Sequence, residues 1–257
     1  MKSLPLLIPL LLAAARRFVH DCGYAVSQVL LRHMARNGLV LFGYWVPEGS
    51  TFYFTDTLGT AKGITALSNA DPARATSTAH GFLDGNEVLL TSGWEEATDA
   101  IYRLDVNDAN SFDLLGLDAS DTGLYAAGGG TGTAQLVSGW TEIPQVLGIG
   151  GGGGDPRYTT ISPLKRRQPI NMPVGFNPSN IELTLGQDES LPAMQALRRI
   201  SRRRGKVGYK MAISGGAVIY AYGTLALNNM PSLQSGQAIT LRLAISVDGQ
   251  PVVYYGV

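Results

Sequence analysis

The amino-acid sequence predicts a mainly β protein with one flanking α-helix, together with a small all-β module. The 257 residues include 32 glycines and 13 prolines, which mark many turns. Between the turns lie short runs of apolar, aromatic or β-branched residues, whereas helical periodicity occurs in one segment beyond the N-terminal region. Hydrophobic residues make up 45% of the chain and charged residues only 16%, so a substantial core is expected.

The N-terminal region has a positive charge at Lys2, an apolar run from Leu4 to Ala15, and small residues at its end. Three interpretations stay open for residues 1–33: a secretory signal peptide, a helical extension, or an over-extended reading frame whose translation starts at Met34. We favour the start at Met34, which leaves open whether residues 1–33 occur in the mature protein.

The next segment predicts an extended arm, a turn at Pro47–Gly49 and a strand ending near Phe54. Residues 63–137 then predict a small barrel or sandwich. Its predicted strands are Ile64–Leu67, Ala73–Thr78, Asn86–Thr91, Ala100–Val106 and Ser111–Leu115. The small polar tract Ala126–Gln135 is expected to be a flexible joint.

The C-terminal part predicts a strand at Trp140–Ile149, a flexible glycine loop at Gly148–Gly154, and a long loop or splayed hairpin over 155–173. Another strand is predicted at Ile181–Leu185. The closing strands are predicted at Lys206–Ser214, Ala217–Leu225, Ala238–Val247 and Pro251–Tyr255.

The one convincing helix is predicted over residues 191–204. Ser190 can act as its N-cap, Pro192 lies in the first turn and Gly205 ends it. Its apolar residues recur every three positions and form a narrow stripe that can pack on a sheet. They are Leu191, Met194, Leu197 and Ile200.

Charge divides the chain into parts. Residues 63–137 carry eleven acidic and two basic residues, a net charge of −9, whereas residues 138–257 carry six acidic and twelve basic residues, a net charge of +6. Residues 1–62 add a net +3. This asymmetry predicts two modules with different roles.

Residues able to carry chemistry are scarce. Cys22 is the single cysteine, and His80 is the one histidine beyond the N-terminal region. His80 is expected to be a surface or turn residue. The glycine tracts lack a phosphate-loop pattern, and Asp105, Asp108 and Asp113 lack an EF-hand register. The sequence therefore predicts no enzyme, no cofactor and no metal site.

Two basic clusters stand out, Lys165–Arg167 and Arg202–Arg204. Nucleic-acid contact and protein–protein contact both fit such clusters. We favour protein contact, because no recognition helix or RNA-binding aromatic signature accompanies them.

Residues 34–257 resemble the tail tube proteins of lambda-like long-tailed (siphovirus) bacteriophages. The resemblance rests on an ordered set of segments: GLVLFGYWVPEGSTFYF, WTEIPQVLGIGGGG, YTTISPLKRRQPINMPVGFNPSNIELTLGQD, DESLPAMQALRRI and GTLALNNMPSLQSGQAITLRLAISVDGQPVVY. Residues 63–137 instead resemble a small β module of phage tail and surface proteins. The tube domain would then comprise residues 34–62 and 138–257, with the acidic module inserted between its first and second strands.

This resemblance implies a tail-tube β-sandwich or barrel with one flanking helix, whose hexameric rings stack around a lumen for DNA passage during ejection. It implies a virion tail component, assembled in the bacterial host cytoplasm, whose partners are other copies of itself and the tape measure, tail terminator and tail tip proteins, with no membrane contact. DNA would pass without specific binding.

The N-terminal arm and the 150–173 loop are expected to make contacts between rings. The candidate inter-subunit and inter-ring contact residues are Tyr44, Trp45, Arg157, Tyr158, Lys165, Arg166, Arg167, Arg202, Arg203 and Arg204. Because lumen surfaces of this family tend to be acidic, the arginines are expected at subunit interfaces.

Two other functions remain open at the level of sequence. The first is a secreted or cell-surface β-rich adhesin or binding protein, which takes the signal-like N-terminus at face value. The second is the tube subunit of a related contractile or secretion machine, which would share the fold.

Overall fold

A computed structural model describes residues 48–255 of the chain. Over this range it contains eighteen strands and one helix, arranged as two eight-stranded sheets and a separate two-stranded hairpin. The prediction of a mainly β fold with one flanking helix is confirmed. The candidate contacts Tyr44 and Trp45, the N-terminal extension and the proposed start at Met34 lie outside the described residues.

Sheet 1 is built from the first strand after the arm and from most of the C-terminal half of the chain. It is antiparallel, in the order β10-β1-β15-β16-β17-β14-β11, and β18 continues along the edge of β16 beyond β17. Its strands are β1 (Thr51–Thr55), β10 (Thr141–Glu142), β11 (Val146–Gly152), β14 (Asn180–Gly186), β15 (Lys206–Ile213), β16 (Ala217–Leu227), β17 (Thr240–Val247) and β18 (Val252–Tyr255).

The core of sheet 1 lies on the face that the helix covers. Strand β17 buries Leu241, Leu243 and Ile245 at alternate positions, as its sequence predicts. Helix α1 (Pro192–Arg202) buries Met194, Leu197 and Ile200 against this face, so the predicted stripe is confirmed.

The helix ends differ from the prediction. Leu191, not Ser190, occupies the N-cap position, because the Ser190 hydroxyl donates to Oδ1 of Asp188 instead. At the C-terminus Arg204 adopts the left-handed conformation, with φ +52°. The Gly205 N–H then reaches the Ile200 carbonyl at 3.0 Å, so the glycine follows the reversal rather than forming it.

Sheet 2 contains the acidic part of the chain. Its strands are β2 (Thr57–Leu58), β3 (Lys62–Ile64), β4 (Ala66–Leu67), β5 (Ala73–Thr76), β6 (Glu87–Ser92), β7 (Ala100–Asp108), β8 (Ser111–Leu115) and β9 (Gly132–Ser138). They follow the order β2-β9-β6-β7-β8-β5-β4, with β3 also on β9. The predicted strand Ser111–Leu115 has the predicted bounds.

This second sheet closes on itself. β3 pairs with β9 at one edge, and β4 pairs with β5 at the other edge, although only Thr65 separates β3 from β4. The extended segment 62–67 therefore joins the two edges and makes a small antiparallel barrel, one of the two forms that the sequence allows. Its core contains Val88, Leu90, Trp94, Phe112 and Leu114.

Two predictions within the barrel are corrected. The expected flexible joint Ala126–Gln135 is a loop only as far as Thr131, because β9 starts at Gly132 and pairs with β6. A Cβ at Gly132 would lie 1.9 Å from the Thr91 carbonyl oxygen, so glycine permits this close pairing. His80, expected at the surface or in a turn, lies beside a turn but is buried, and its Nδ1 accepts from the Phe82 N–H.

One antiparallel ladder runs through both sheets. It pairs Phe54 with Thr141 in sheet 1 and, without a change of register, Thr57 with Ser138 in the barrel. The chain thus enters and leaves the barrel on two adjacent, paired strands. The strands of the barrel span 57–138, slightly more than the predicted module 63–137.

Where a long loop or splayed hairpin is predicted, the chain forms a hairpin of β12 (Pro156–Ile161) and β13 (Ile170–Phe176). The prediction of a flexible glycine loop is wrong over Gly148–Gly152, because these glycines belong to β11 and pair with β14. Backbone pairing needs no side chain, so a run of glycines can occupy a strand when a neighbouring strand provides the partner.

Candidate subunit interfaces

The barrel is joined to sheet 1 through a buried carboxylate. Glu87 of β6 is 11% exposed, and its Oε1 accepts from Lys210 Nζ at 2.8 Å and from the Tyr220 hydroxyl at 2.6 Å. The Trp140 Nε1–H donates to the other carboxylate oxygen. Because all three partners belong to sheet 1 or to the segment leading into it, Glu87 fixes how the barrel sits on the sheet.

Apolar and aromatic groups surround this carboxylate. Leu89 and Ile101 of the barrel pack with Tyr220 and Tyr222 of β16. Tyr254 of β18 reaches across as well, because its hydroxyl accepts the Arg103 N–H at 2.9 Å and donates to the Leu115 carbonyl at 2.6 Å. Burial raises the pKa of Tyr254, so the phenol stays protonated and remains a donor at neutral pH. This face of sheet 1 is already occupied within the subunit.

The hairpin β12–β13, in contrast, is exposed along its whole length. Its β13 strand places Ile170, Met172, Val174 and Phe176 at every second position, and Phe176 is 68% exposed. A register shift between Arg157 and Tyr158 places Phe176 on the opposite face of the ribbon from Met172. Large apolar side chains of a strand are normally covered by another layer. No such layer covers it within residues 48–255, which marks the hairpin as a surface for another molecule.

Five of the predicted contact residues lie on this hairpin. Arg157 and Tyr158 belong to β12, whereas Lys165, Arg166 and Arg167 lie in the connection between the two strands. All five are exposed. Within the described part of the chain, neither the two arginines nor the lysine of the connection has an ion-pair partner, so their charge is available to a neighbour.

The other predicted cluster lies on the C-terminal end of helix α1 and not on the hairpin. Arg203 already forms an ion pair with Asp56, in the segment between β1 and β2. Arg202 and Arg204 are exposed. Arg198, one turn earlier, pairs with Glu189. Part of the positive charge of the helix is therefore used inside the subunit.

The edges of sheet 1 were missed as candidate surfaces. Among residues 48–255, β11 pairs only with β14, and β10 is two residues long. Residues 144–154 contain no charged side chain, and six of the seven residues of β11 are exposed. Natural edge strands are usually protected by charges, bulges or cover. The absence of charge over residues 144–154 was a signal for an unprotected edge strand, but the glycines in this run suggested a loop instead.

A match to a known family decides what these exposed surfaces belong to. The model of the family "phage tail tube protein" matches residues 92–256, which is more than half of the chain. This chain belongs to the phage tail tube protein family. No curated protein gives a significant match.

Membership makes this tail tube protein a structural component of the virion tail that self-assembles into a tube, not an enzyme. The match begins at Ser92, in the last residue of β6, and therefore includes the second half of the barrel as well as sheet 1 from β10 onward. It also favours the tail tube over the adhesin among the functions that the sequence left open.

Acidic and titratable groups of the tail tube protein have structural partners. Asp113 accepts from Arg74 Nε at 2.8 Å, and this contact holds the pKa of the Asp113 carboxyl below its usual value. Asp108 accepts from the Asn110 N–H and the Ser111 hydroxyl, which lowers the pKa of Asp108. Among residues 48–255 no three His, Cys, Asp or Glu side chains are grouped as metal ligands. Over the same range, no helix has the length and apolarity needed to span a membrane.

A second exposed apolar segment of the tail tube protein also went unnoticed in the sequence. The loop 228–239 between β16 and β17 exposes Met230 (78%), Leu233 (69%) and Ile239 (45%). Strand β17, which follows this loop, starts at Thr240, later than the predicted start at Ala238. The signal was the presence of large apolar residues in a turn-rich stretch, where polar ones are the rule.

Proposed function

We propose that this tail tube protein forms hexameric rings that stack into a tube around a lumen, through which DNA passes during ejection. The observation that carries the proposal is the exposed hairpin β12–β13, whose large apolar residues have no cover within the described subunit. The resemblance to lambda-like phages supports the hexamer and the siphovirus tail. Assembly would take place in the host cytoplasm, with the tape measure, terminator and tail tip proteins as partners.

Ring closure would use the two edges of sheet 1. β11 offers a seven-residue edge without charged residues, and the opposite edge is formed by β10 and the part of β1 beyond it. Pairing the β11 edge of one copy with the β10–β1 edge of the next is heterologous and closes into a ring when the rotation per copy divides a full turn. Closure would remove both free edges.

Stacking of rings would use the hairpin. Its apolar strand supports a contact that buries Met172 and Phe176, and its basic connection supports a contact with acidic groups. Arg157, Tyr158 and Lys165–Arg167 are the proposed inter-ring residues, and Tyr44 and Trp45 of the N-terminal arm would join them. Arg202, Arg203 and Arg204 are proposed at contacts between subunits.

The barrel would be a module inserted into the tube domain and carried on the outside of the tube. The paired strands at Thr57 and Ser138 support insertion, because both connections leave sheet 1 at one place. The bulk of a closed barrel supports an exterior position, since the lumen must stay open for DNA.

The test is assembly of the full chain, followed by negative-stain electron microscopy. The variant Arg166→Glu/Arg167→Glu is expected to form rings but few tubes, and the tubes of the unmodified protein are expected to shorten as salt rises. The matched control is Asp71→Lys/Asp105→Lys, two charge reversals on exposed barrel positions. Tubes of normal length from the hairpin variant, or loss of tubes from the control, would contradict the role of the hairpin.

A further inference from the structure

The hairpin and the exposed loop 228–239 lie at opposite ends of sheet 1. Asn180, where β14 begins after the hairpin, pairs with Ser246, whereas Gly186, where β14 ends, pairs with Thr240. Loop 228–239 leads directly into Thr240. One end of the strands therefore carries the hairpin, and the other end carries the loop.

The two strands of the hairpin stay hydrogen-bonded to each other where they leave the sheet. Gly154 N–H donates to the Asn177 carbonyl and Asn177 N–H donates to the Asp155 carbonyl, both at 2.9 Å, so the ribbon stays paired where it leaves the sheet. Strand β12 adds six residues beyond that point, or about 20 Å of reach. The hairpin is long enough to reach a copy stacked on that end.

Loop 228–239 is exposed, yet it is held in place by backbone hydrogen bonds. Asn228 N–H donates to the Arg242 carbonyl at 2.9 Å, and Ser232 N–H donates to the Thr240 carbonyl at 2.8 Å. The loop contains no charged residue. Its Met230 and Leu233 side chains thus form a fixed apolar surface without a cover among the described residues.

An acidic turn lies directly beside this loop. The Gln187 N–H donates to the Ile239 carbonyl at 3.0 Å, which places Gln187–Ser190 against the end of the loop. The Ser190 hydroxyl and N–H both donate to Asp188, and these bonds lower the pKa of the Asp188 carboxyl. Asp188 is therefore negatively charged at neutral pH, and within the described range it has no ion-pair partner.

The two ends match in chemistry. The hairpin combines an apolar strand with the basic residues Lys165–Arg167, and the opposite end combines an apolar loop with the carboxylate of Asp188, since Glu189 is paired with Arg198. Complementary surfaces at opposite ends of one subunit make a head-to-tail contact that extends without closing, as a tube requires. Two like-charged ends would not favour this arrangement.

We infer that loop 228–239, together with turn 187–190, is the surface that receives the hairpin of a second copy in the neighbouring ring. We call it the receiving surface. The inference rests on the proposed role of the hairpin in stacking, and it adds the partner of that hairpin. Met230 and Leu233 would cover the apolar strand β13, and Asp188 would face the basic connection.

Cross-linking tests the contact directly. Tubes are assembled from equal amounts of Leu164→Cys and Leu233→Cys chains, each with Cys22→Ser, and oxidised. Both sites are exposed in the subunit. A cross-linked dimer of the two variants is expected. Replacing Leu233→Cys by Leu83→Cys, an equally exposed barrel position, is expected to give no dimer. The inferred receiving surface is overturned if the tubes yield no dimer between Leu164→Cys and Leu233→Cys. It is also overturned if Leu83→Cys gives as much dimer as Leu233→Cys.

Mixing two blocked variants separates this inference from the proposed function. Arg166→Glu/Arg167→Glu keeps the receiving surface, and Met230→Ser/Leu233→Ser keeps the hairpin. Each alone is expected to stop at single rings, and the mixture is expected to give pairs of rings that grow no further. Normal tubes from the Met230/Leu233 variant alone would overturn the receiving surface but leave the stacking role of the hairpin intact. Normal tubes from the hairpin variant would remove that stacking role itself.

Discussion

The barrel and the hairpin are both built from antiparallel strands, but they differ in whether their edges and apolar residues are covered within the subunit. The barrel joins its two edges through segment 62–67 and buries Phe112 completely. The hairpin leaves β13 uncovered, with Phe176 largely exposed. The barrel covers its own edges and core, whereas we expect the hairpin and the β11 edge to be covered only in an assembly.

This difference predicts that substitutions in the barrel change the stability of the subunit and substitutions in the hairpin change its assembly. The expected changes in the free energy of unfolding decrease from the barrel core to the hairpin. Each is measured by denaturant unfolding of the unassembled subunit.

The largest effect is expected from Phe112→Ala. The substitution removes a fully buried ring that also packs edge-to-face on Phe82, and it leaves a cavity. The free energy of unfolding should fall by about 3–5 kcal/mol. A loss similar to that of a surface substitution would mean that the barrel core contributes little to the cooperative unit.

A second effect is expected at the junction, from Glu87→Gln. The neutral amide no longer compensates Lys210, which is three-quarters buried in the junction. The expected loss is about 2–3 kcal/mol. The matched control is Glu142→Gln, at an exposed position of β10. If both variants unfold alike, the barrel is not held to sheet 1 through this carboxylate.

A smaller, pH-dependent effect is expected from Asp113→Asn. The pKa of Asp113 lies below its ordinary value of 3.8, so its contact with Arg74 stabilises the fold above that pH and is lost as the pH falls through the folded-state pKa. The difference in the free energy of unfolding between the unmodified protein and the Asp113→Asn variant should therefore shrink on acidification. Asp71→Asn, at an exposed barrel position, serves as the control for the loss of a surface carboxylate.

The smallest effect on the subunit is expected from Phe176→Ser. Because the side chain is mostly in water, the free energy of unfolding should change by no more than about 0.5 kcal/mol. Tube assembly, measured by sedimentation or negative stain, should nevertheless weaken strongly. A large destabilisation of the subunit would show that Phe176 packs within its own chain.

Much of the strand pattern could be predicted from sequence, because burial there follows local alternation. Strand β17 and the apolar stripe of helix α1 are examples. The closure of the barrel could not be predicted, because in the sequence β3 and β4 look like one short strand. They are distinguished only by their partners: β3 pairs with β9, about 70 residues away, and β4 pairs with β5, about 10 residues away.

The candidate site shows the same limit. The basic residues of the hairpin were found by composition alone, but the strand character of Gly148–Gly152 depends on β14, which supplies all of its hydrogen-bond partners. Glycine carries no pattern of burial from which pairing can be inferred. His80 was expected near the surface because a lone histidine usually lies there. Its burial depends on the Asp108 carbonyl of β7, which accepts a hydrogen bond from the His80 Nε2–H at 2.9 Å and is distant in sequence.

The continuous ladder between sheet 1 and the barrel has a mechanical consequence. A tube that is bent or stretched carries tension through the strands of its sheets. Because Phe54 and Thr141 are paired side by side, we expect tension to pass from β1 to β10 across a rung about 5 Å wide, with the barrel beside this path rather than in series with it. Loosening or exchange of the barrel is then expected to leave the length of the strands that carry the strain unchanged.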